Sequence, residues 1–296
     1  MSVIKSFSVG NGDMFYIEHN SDNFTIIDCC VTDDNSDAIL GEISSLSAKK
    51  GITRFISTHP DDDHISGLEL LDAKIGIRNF YCVENDTTKP DETDCFNKYC
   101  ELRSDAGKVF HIAKGCTRRW MNQGDKDRDA SGISVLWPDT DNEHFKEALE
   151  DAVAGGSPNN ISAVIKYALA KGVTALWMGD LETDFMECIE EALDVSAVDI
   201  LFAPHHGRDS GRIPESILAK LSPKIVVIGE APSEHLNYYE GYNTITQNSA
   251  GDIVFDCVGT KVHVFSTEEY YVDFLDDEAC ERANHHYVGT LNLASD

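Results

Sequence analysis

Apolar and polar positions alternate over short stretches through the first thirty residues. Phe15-Tyr16-Ile17 and Phe24-Thr25-Ile26-Ile27 are separated by the turn-rich Asn20-Ser21-Asp22-Asn23, a pattern that predicts a β-hairpin. The period then changes. Ile39, Leu40, Ile43 and Leu46 recur at helical spacing between Asp37 and Lys49, and Gly51 follows, so an amphipathic helix is expected to end there. Arg54-Phe55-Ile56-Ser57-Thr58 returns to a strand pattern. This βαβ rhythm predicts a sheet covered by helices, with chemistry in the loop beyond the strand. That loop runs from His59 to His64.

The second half repeats the logic. A strand is expected over 132–136, and a hairpin over 163–167 and 174–178, turning at Gly172 and running into Gly179-Asp180. A helix over 185–193 precedes the apolar run 198–203, which stops at Pro204-His205-His206-Gly207. Then come a helix over 213–221, a buried strand over 224–228 and a final hairpin over 252–265. Residues 85–116 are less regular and read as an excursion. Two half-patterns of hairpins followed by αβ units, without repeats or a long linker, predict two packed sheets flanked by helices in one α/β (α+β) domain over residues 1–266. Residues 267–296 are set apart as an acidic C-terminal extension, in which 273–281 could form a docking helix or mediate oligomerisation.

Charge narrows the function. The 24 Lys+Arg oppose 52 Asp+Glu among 296 residues, so 24 − 52 gives a net charge of −28. With 42% hydrophobic residues there is ample apolar material for a core, which excludes intrinsic disorder. Such a surface repels phosphate backbones and anionic membranes, and no apolar run approaches the roughly 18 residues of a spanning helix. The start of the chain has no signal-peptide pattern, so a cytoplasmic protein without membrane contact is expected. The nine cysteines form no CxxC pair and read as reduced thiols. Arg118-Arg119-Trp120 is a small basic cluster, read as a solvated turn.

The strongest chemical signal is Thr58-His59-Pro60-Asp61-Asp62-Asp63-His64. His59, Asp61, Asp63 and His64 put two imidazoles and two carboxylates on one short loop after a core strand. Imidazole suits zinc, iron or manganese, and carboxylates shift preference toward harder ions. Two later strands end in Asp180 and in His205-His206, so three strand ends could converge on one metal site. His111, His144, His235 and His263 are isolated and read as ordinary surface or core residues. Asp13 and Asp28 read as residues that shape loops beneath the metals, and Gly10 and Gly12 as a tight turn.

The sequence HxDxDH resembles the first motif, HxHxDH, of the metallo-β-lactamase fold. Together with Val9-Gly10-Asn11-Gly12-Asp13, Ile26-Ile27-Asp28, Asn159-Asn160-Ile161-Ser162, Gly179-Asp180 and Pro204-His205-His206-Gly207, it is similar to the C-terminal hydrolase domain of the competence protein ComEC. Leu136-Trp137-Pro138 and the segment 246–253 follow the same order, so the resemblance covers residues 1–266. It implies a four-layered αββα sandwich with two divalent metal ions, manganese or zinc. By that resemblance His59 and Asp61 hold one ion, Asp63 and His64 the other, Asp180 bridges both, and His205 completes the second. Paired ions of this kind activate a water and neutralise charge on a phosphoryl oxygen. Asp63 could also orient the attacking water, and His206 could donate a proton or contact substrate. The roles of His205 and His206 could exchange.

Two departures from the family matter. Asn159-Asn160 stands where the family has a third-motif histidine, and an amide oxygen suits manganese better than zinc. The membrane channel of ComEC has no counterpart here, so DNA uptake does not carry over. The expected function is a metal-dependent phosphodiesterase or nuclease. Its substrate would be nucleic acid or a nucleotide, with Asn160, Lys166 and Arg208 as substrate-binding candidates and Arg212 as a further cation. A hydrolase of cyclic nucleotides, esters or lactams is the alternative on the same fold. An acidic interaction protein, with a protein partner or as a homo-oligomer, is the alternative from another class.

Overall fold

Two β-sheets lie face to face in the computed structural model, which describes residues 1–90 and 92–293. The larger has nine strands in the spatial order His286–Asn292, Lys261–Ser266, Ile253–Val258, Ser2–Ser6, Phe15–Glu18, Asn23–Ile27, Ile52–Ile56, Phe80–Cys82 and Val109–His111. Its last four strands are parallel and the remainder pair antiparallel. The smaller sheet orders Thr244–Thr246, Ile225–Ile228, Ile200–Phe202, Thr174–Trp177, Val164–Ala168 and Ile133–Trp137. Its first four strands are parallel.

The pleat explains the layering. Successive side chains on a strand point to opposite faces, so Phe15 and Ile17 enter the core between the sheets while Tyr16 faces the other way. Ile27 and Ile56 likewise point inward, and Ile26 and Phe55 outward. Across the gap Phe15 meets Phe202 at 4.9 Å and Trp177 at 6.0 Å between ring centroids. The outward residues of the larger sheet pack on Ile39 and Ile43 of helix Ser36–Ser47, Leu68 and Leu71 of Leu68–Ile75, and Phe96 and Leu102 of Asp94–Ser104. The smaller sheet is covered by Glu143–Val153, Thr183–Ile189 and Glu215–Leu221 through Phe145, Met186 and Ile217. The result is the expected αββα sandwich.

Two stretches differ from expectation. The irregular region 85–116 contains the helix Asp94–Ser104, started by Thr93, whose Oγ1 accepts the Phe96 N–H. Residues 273–281 are not helical. Instead, the region set apart as an extension supplies the edge strand His286–Asn292, which pairs with Lys261–Ser266 and buries Val288 and Thr290. The basic cluster is an exposed turn, as expected, with Arg118 and Arg119 at the surface, Arg119 paired to Asp125, and Arg119 and Arg128 lying 4.3 and 4.6 Å from the Trp120 ring. Among the described residues no helix is long and apolar enough to cross a membrane.

Candidate metal centre

Four strand ends meet at the rim of the sandwich. Asp28 follows Asn23–Ile27, the His59–His64 loop follows Ile52–Ile56, Asp180 follows Thr174–Trp177, and His205-His206 follow Ile200–Phe202. The carboxyl ends of parallel strands are where open α/β sheets place their chemistry. Asp28 is fully buried and accepts from the Thr58 N–H at 2.7 Å, the Thr58 hydroxyl at 2.7 Å and His64 Nδ1 at 2.9 Å. Asp61 caps the single helical turn Asp62–Ile65, which carries His64 inward. Gly12 has no room for a side chain, since a Cβ there would lie 2.6 Å from the Asp63 carbonyl. That close approach brings the Asp13 N–H onto the same carbonyl at 3.1 Å.

Asp180 is the hub. Its Oδ1 lies 3.0 Å from His64 Nε2, and its Oδ2 lies 3.6 Å from His205 Nε2, 3.7 Å from His206 Nε2 and 4.0 Å from His59 Nε2. Asp63 is 3.3 Å from His206 Nε2 and 3.9 Å from His64 Nε2, and Asp13 is 3.1 Å from His206 Nδ1. Donor atoms of Asp13, His64, Asp180 and His206 all fall within 4.8 Å of one another. Yet His59 Nε2, His64 Nε2, Asp180 Oδ1 and His206 Nδ1 are buried without a well-formed hydrogen bond. Buried polar atoms are nearly always paired. Imidazole nitrogens and carboxylate oxygens that converge with several of them left unpaired form a donor set that fits a divalent cation.

The electrostatics of the protein without metal follow from this packing. Burial, then the neighbouring His64, lowers His59 to about 3. Burial opposes charge on His206 too, but Asp13 and Asp180 outweigh it and raise the ring to about 10. His64 is held well above its ordinary value by Asp180 and Asp28 despite its burial. Asp63 falls to about 2, because the bond from His206 and the charge of His64 overcome desolvation. Asp180 is pulled down by His64 and His206 against complete burial. Asp28 is raised, burial prevailing over its bonds to His64 and Thr58.

Of the residues singled out in the sequence, His59, Asp63, His64, Asp180, His205 and His206 come together. His206 is fully buried, whereas the His205 side chain is 15% exposed and its Nδ1 lies 2.9 Å from the Ser210 hydroxyl. Asp61 is 38% exposed and paired with Lys89 at 2.9 Å. Asn160 is consumed by two bonds to Glu182, at 2.8 Å to its carboxylate and 3.1 Å from its N–H, while Asn159 Oδ1 is buried without a partner. Lys166 donates to the Ser196 hydroxyl at 3.1 Å. Ser196 precedes the strand whose far end carries the histidines, so Lys166 is not brought to the centre. Arg208 stays beside it, directly after Gly207, with its Nε buried and unpaired. Asp13, read in the sequence only as shaping a loop beneath the metals, faces His206 directly, and Lys89, which was not singled out, holds Asp61. The Gly10-Asn11-Gly12-Asp13 turn was the signal for the first, and the second has none.

The metallo-beta-lactamase superfamily matches residues 8–158, just over half of the chain. No curated protein matches. Among solved structures, Igni18, a metallo hydrolase from the hyperthermophilic archaeon Ignicoccus hospitalis, is similar at 15% identity and a TM-score of 0.50. The match covers 86% of this chain and 99% of that one. A Cronobacter sakazakii metallo-beta-lactamase with a HARLDQ motif matches at 15% identity and a TM-score of 0.38, covering 73% of this chain and 89% of that one. From the αββα layering, the convergence of strand ends on Asp180 and the family match, this chain belongs to the metallo-beta-lactamase superfamily.

Proposed function

We propose that this protein is a metal-dependent hydrolase of phosphodiesters, in the phosphodiesterase and nuclease class, and that it is related to the hydrolase domain of ComEC by the order of its motifs. The observation that carries this reading is the carboxylate-rich donor set, in which Asp13, Asp63 and Asp180 face His59, His64, His205 and His206. Carboxylates favour hard cations, which in turn favour phosphoryl oxygens. The unpartnered Asn159 amide oxygen supports manganese over zinc. When bound, a divalent metal supplies Lewis acidity that lowers the pKa of a water and neutralises charge developing on the phosphoryl oxygens.

The chain's own residues do the rest. Asp28 holds His64 by Nδ1, so that ring presents Nε2 to the centre, and Asp13 faces His206 Nδ1. Asp63 lies beside His206 Nε2, where it can orient a water. His205, the imidazole with solvent access, is placed to pass a proton to a departing alkoxide, its orientation set by Ser210. Arg208 is the cation nearest in sequence to these histidines and takes a non-bridging phosphate oxygen. The net charge of −28 favours nucleotides and short oligonucleotides over long polymers.

The test is hydrolysis of bis-p-nitrophenyl phosphate, a nitrocefin-type lactam and a thioester under added manganese or zinc, by wild type and Asp180→Ala. Manganese-dependent phosphodiester turnover, lost by roughly a thousandfold or more in the variant, is expected. Turnover of the lactam or thioester alone refutes the substrate class, and turnover unaffected by Asp180→Ala refutes the site.

A further inference from the structure

We infer that Lys89 is a built-in cation that engages Asp61 and limits the centre to one divalent ion per chain. The inference rests on the metal-dependent reading above. Asp61 stands at the second position of the HxDxDH motif, where the family resemblance makes it a ligand, yet its Oδ1 accepts the Lys89 ammonium at 2.9 Å and the Asp62 N–H at 2.9 Å. The same ammonium lies 3.1 Å from Asp62 and 5.5 Å from the Phe96 ring centroid, and its side chain is only 17% exposed. The segment is fastened again by the Thr93 hydroxyl, which donates to Asp62 at 3.4 Å. Lys89 is thus seated between two carboxylates and a ring, with little freedom to leave.

The pairing removes Asp61 from the carboxylates free to face an ion. Any ion seated beside Asp61 would have to displace that ammonium and meet its charge, and opposite charge must be close at hand in a buried site because desolvating an ion is costly. The donors also divide unevenly. Asp13, His64, Asp180 and His206 form the compact group within 4.8 Å, whereas His59 and His205 approach only the distal oxygen of the shared Asp180. A second ion on that side would need Asp61, and the ammonium already holds it.

The experiment is a manganese titration of the full chain followed by native mass spectrometry and elemental analysis, for wild type, Lys89→Met and Asp61→Asn. One ion on wild type, two on Lys89→Met and one on Asp61→Asn are expected. Asp61→Asn is isosteric at a partly exposed side chain, so it decides whether Asp61 is a ligand even if Lys89→Met does not fold. Two ions on wild type, one on a folded Lys89→Met, or fewer on Asp61→Asn than on wild type each overturn the role given to Lys89 and leave the hydrolase reading standing. No ion on any of the three overturns both.

Discussion

Replacing Asp28 by Asn tests whether the metal-facing side of His64 is set from behind. Three donors converge on the buried Asp28 carboxylate: the Thr58 N–H, the Thr58 hydroxyl and His64 Nδ1, all within 2.9 Å. An amide of the same shape offers one accepting oxygen and turns an NH2 toward at least one of those donors. A buried donor left unpaired costs about 1–3 kcal/mol. Losing a carboxylate behind a metal-binding histidine typically weakens metal affinity by about 10–100-fold, which is about 1.4–2.7 kcal/mol. The two routes agree in size. Manganese binding by calorimetry at pH 7, after chelator treatment, is expected to weaken by that factor, while the circular dichroism of the folded protein is retained. An affinity within threefold of wild type would show that Asp28 merely fills space, and the argument from ring orientation would fail.

Gly207 has φ +86 and its missing Cβ would lie 2.6 Å from Ile228 Cγ2, so Gly207→Ala should cost about 1–3 kcal/mol in a denaturant melt and displace both histidines; a melt identical to wild type counts against that packing. In the metal-free protein His206 is raised from 6.5 to about 10, so the stability it contributes is complete below about pH 6.5 and lost as pH rises through about 10. Urea melts of chelator-treated protein from pH 6 to 10.5 should show a falling midpoint, and a flat or rising one contradicts the carboxylate contacts. His59, lowered from 6.5 to about 3, acts in the opposite sense: its contribution is complete above about pH 6.5 and is lost as pH falls from there through about 3. Ending the chain before residue 286 removes the edge strand and the burial of Val288. A loss of at least about 2 kcal/mol and light scattering from the freed edge are expected; an unchanged melt would mean that strand only decorates the sheet.

The elements that the sequence made legible were those whose side chains answer to one periodicity. Phe15-Tyr16-Ile17 alternates because one face meets the second sheet and the other a helix layer, and Ile39, Leu40 and Ile43 recur because one stripe of their helix is buried. His59, Asp63, His64, Asp180 and the paired histidines were visible because each sits just past an apolar strand. What stayed hidden depends on contacts distant in sequence. Nothing near Asp61 announces that an ammonium 28 residues later will take its carboxylate, and only the closed loop shows that Asp13 reaches His206. Asn159 and Asn160 are adjacent amides, and only the Glu182 bonds show which is structural. The strand His286–Asn292 was read as part of an acidic extension because its buried positions, Val288, Gly289 and Thr290, include only one strong β-former of an apolar kind.

Ser2–Ser6 lies in the interior of the nine-stranded sheet, with Phe15–Glu18 on one side and Ile253–Val258 on the other. The second neighbour is made some 240 residues after the first, so half of that strand's backbone N–H and C=O groups wait for it. Pairings of such long sequence separation must be reached against the entropy of a large closed loop, which slows folding. A growing chain therefore carries an open, apolar strand edge containing Val3 and Ile4 until Ile253–Val258 emerges, a template for wrong pairing. The high density of negative charge, 52 acidic residues against 24 basic ones, keeps such half-built chains apart by mutual repulsion, so a surface that discourages long polyanions also protects the protein during its own assembly.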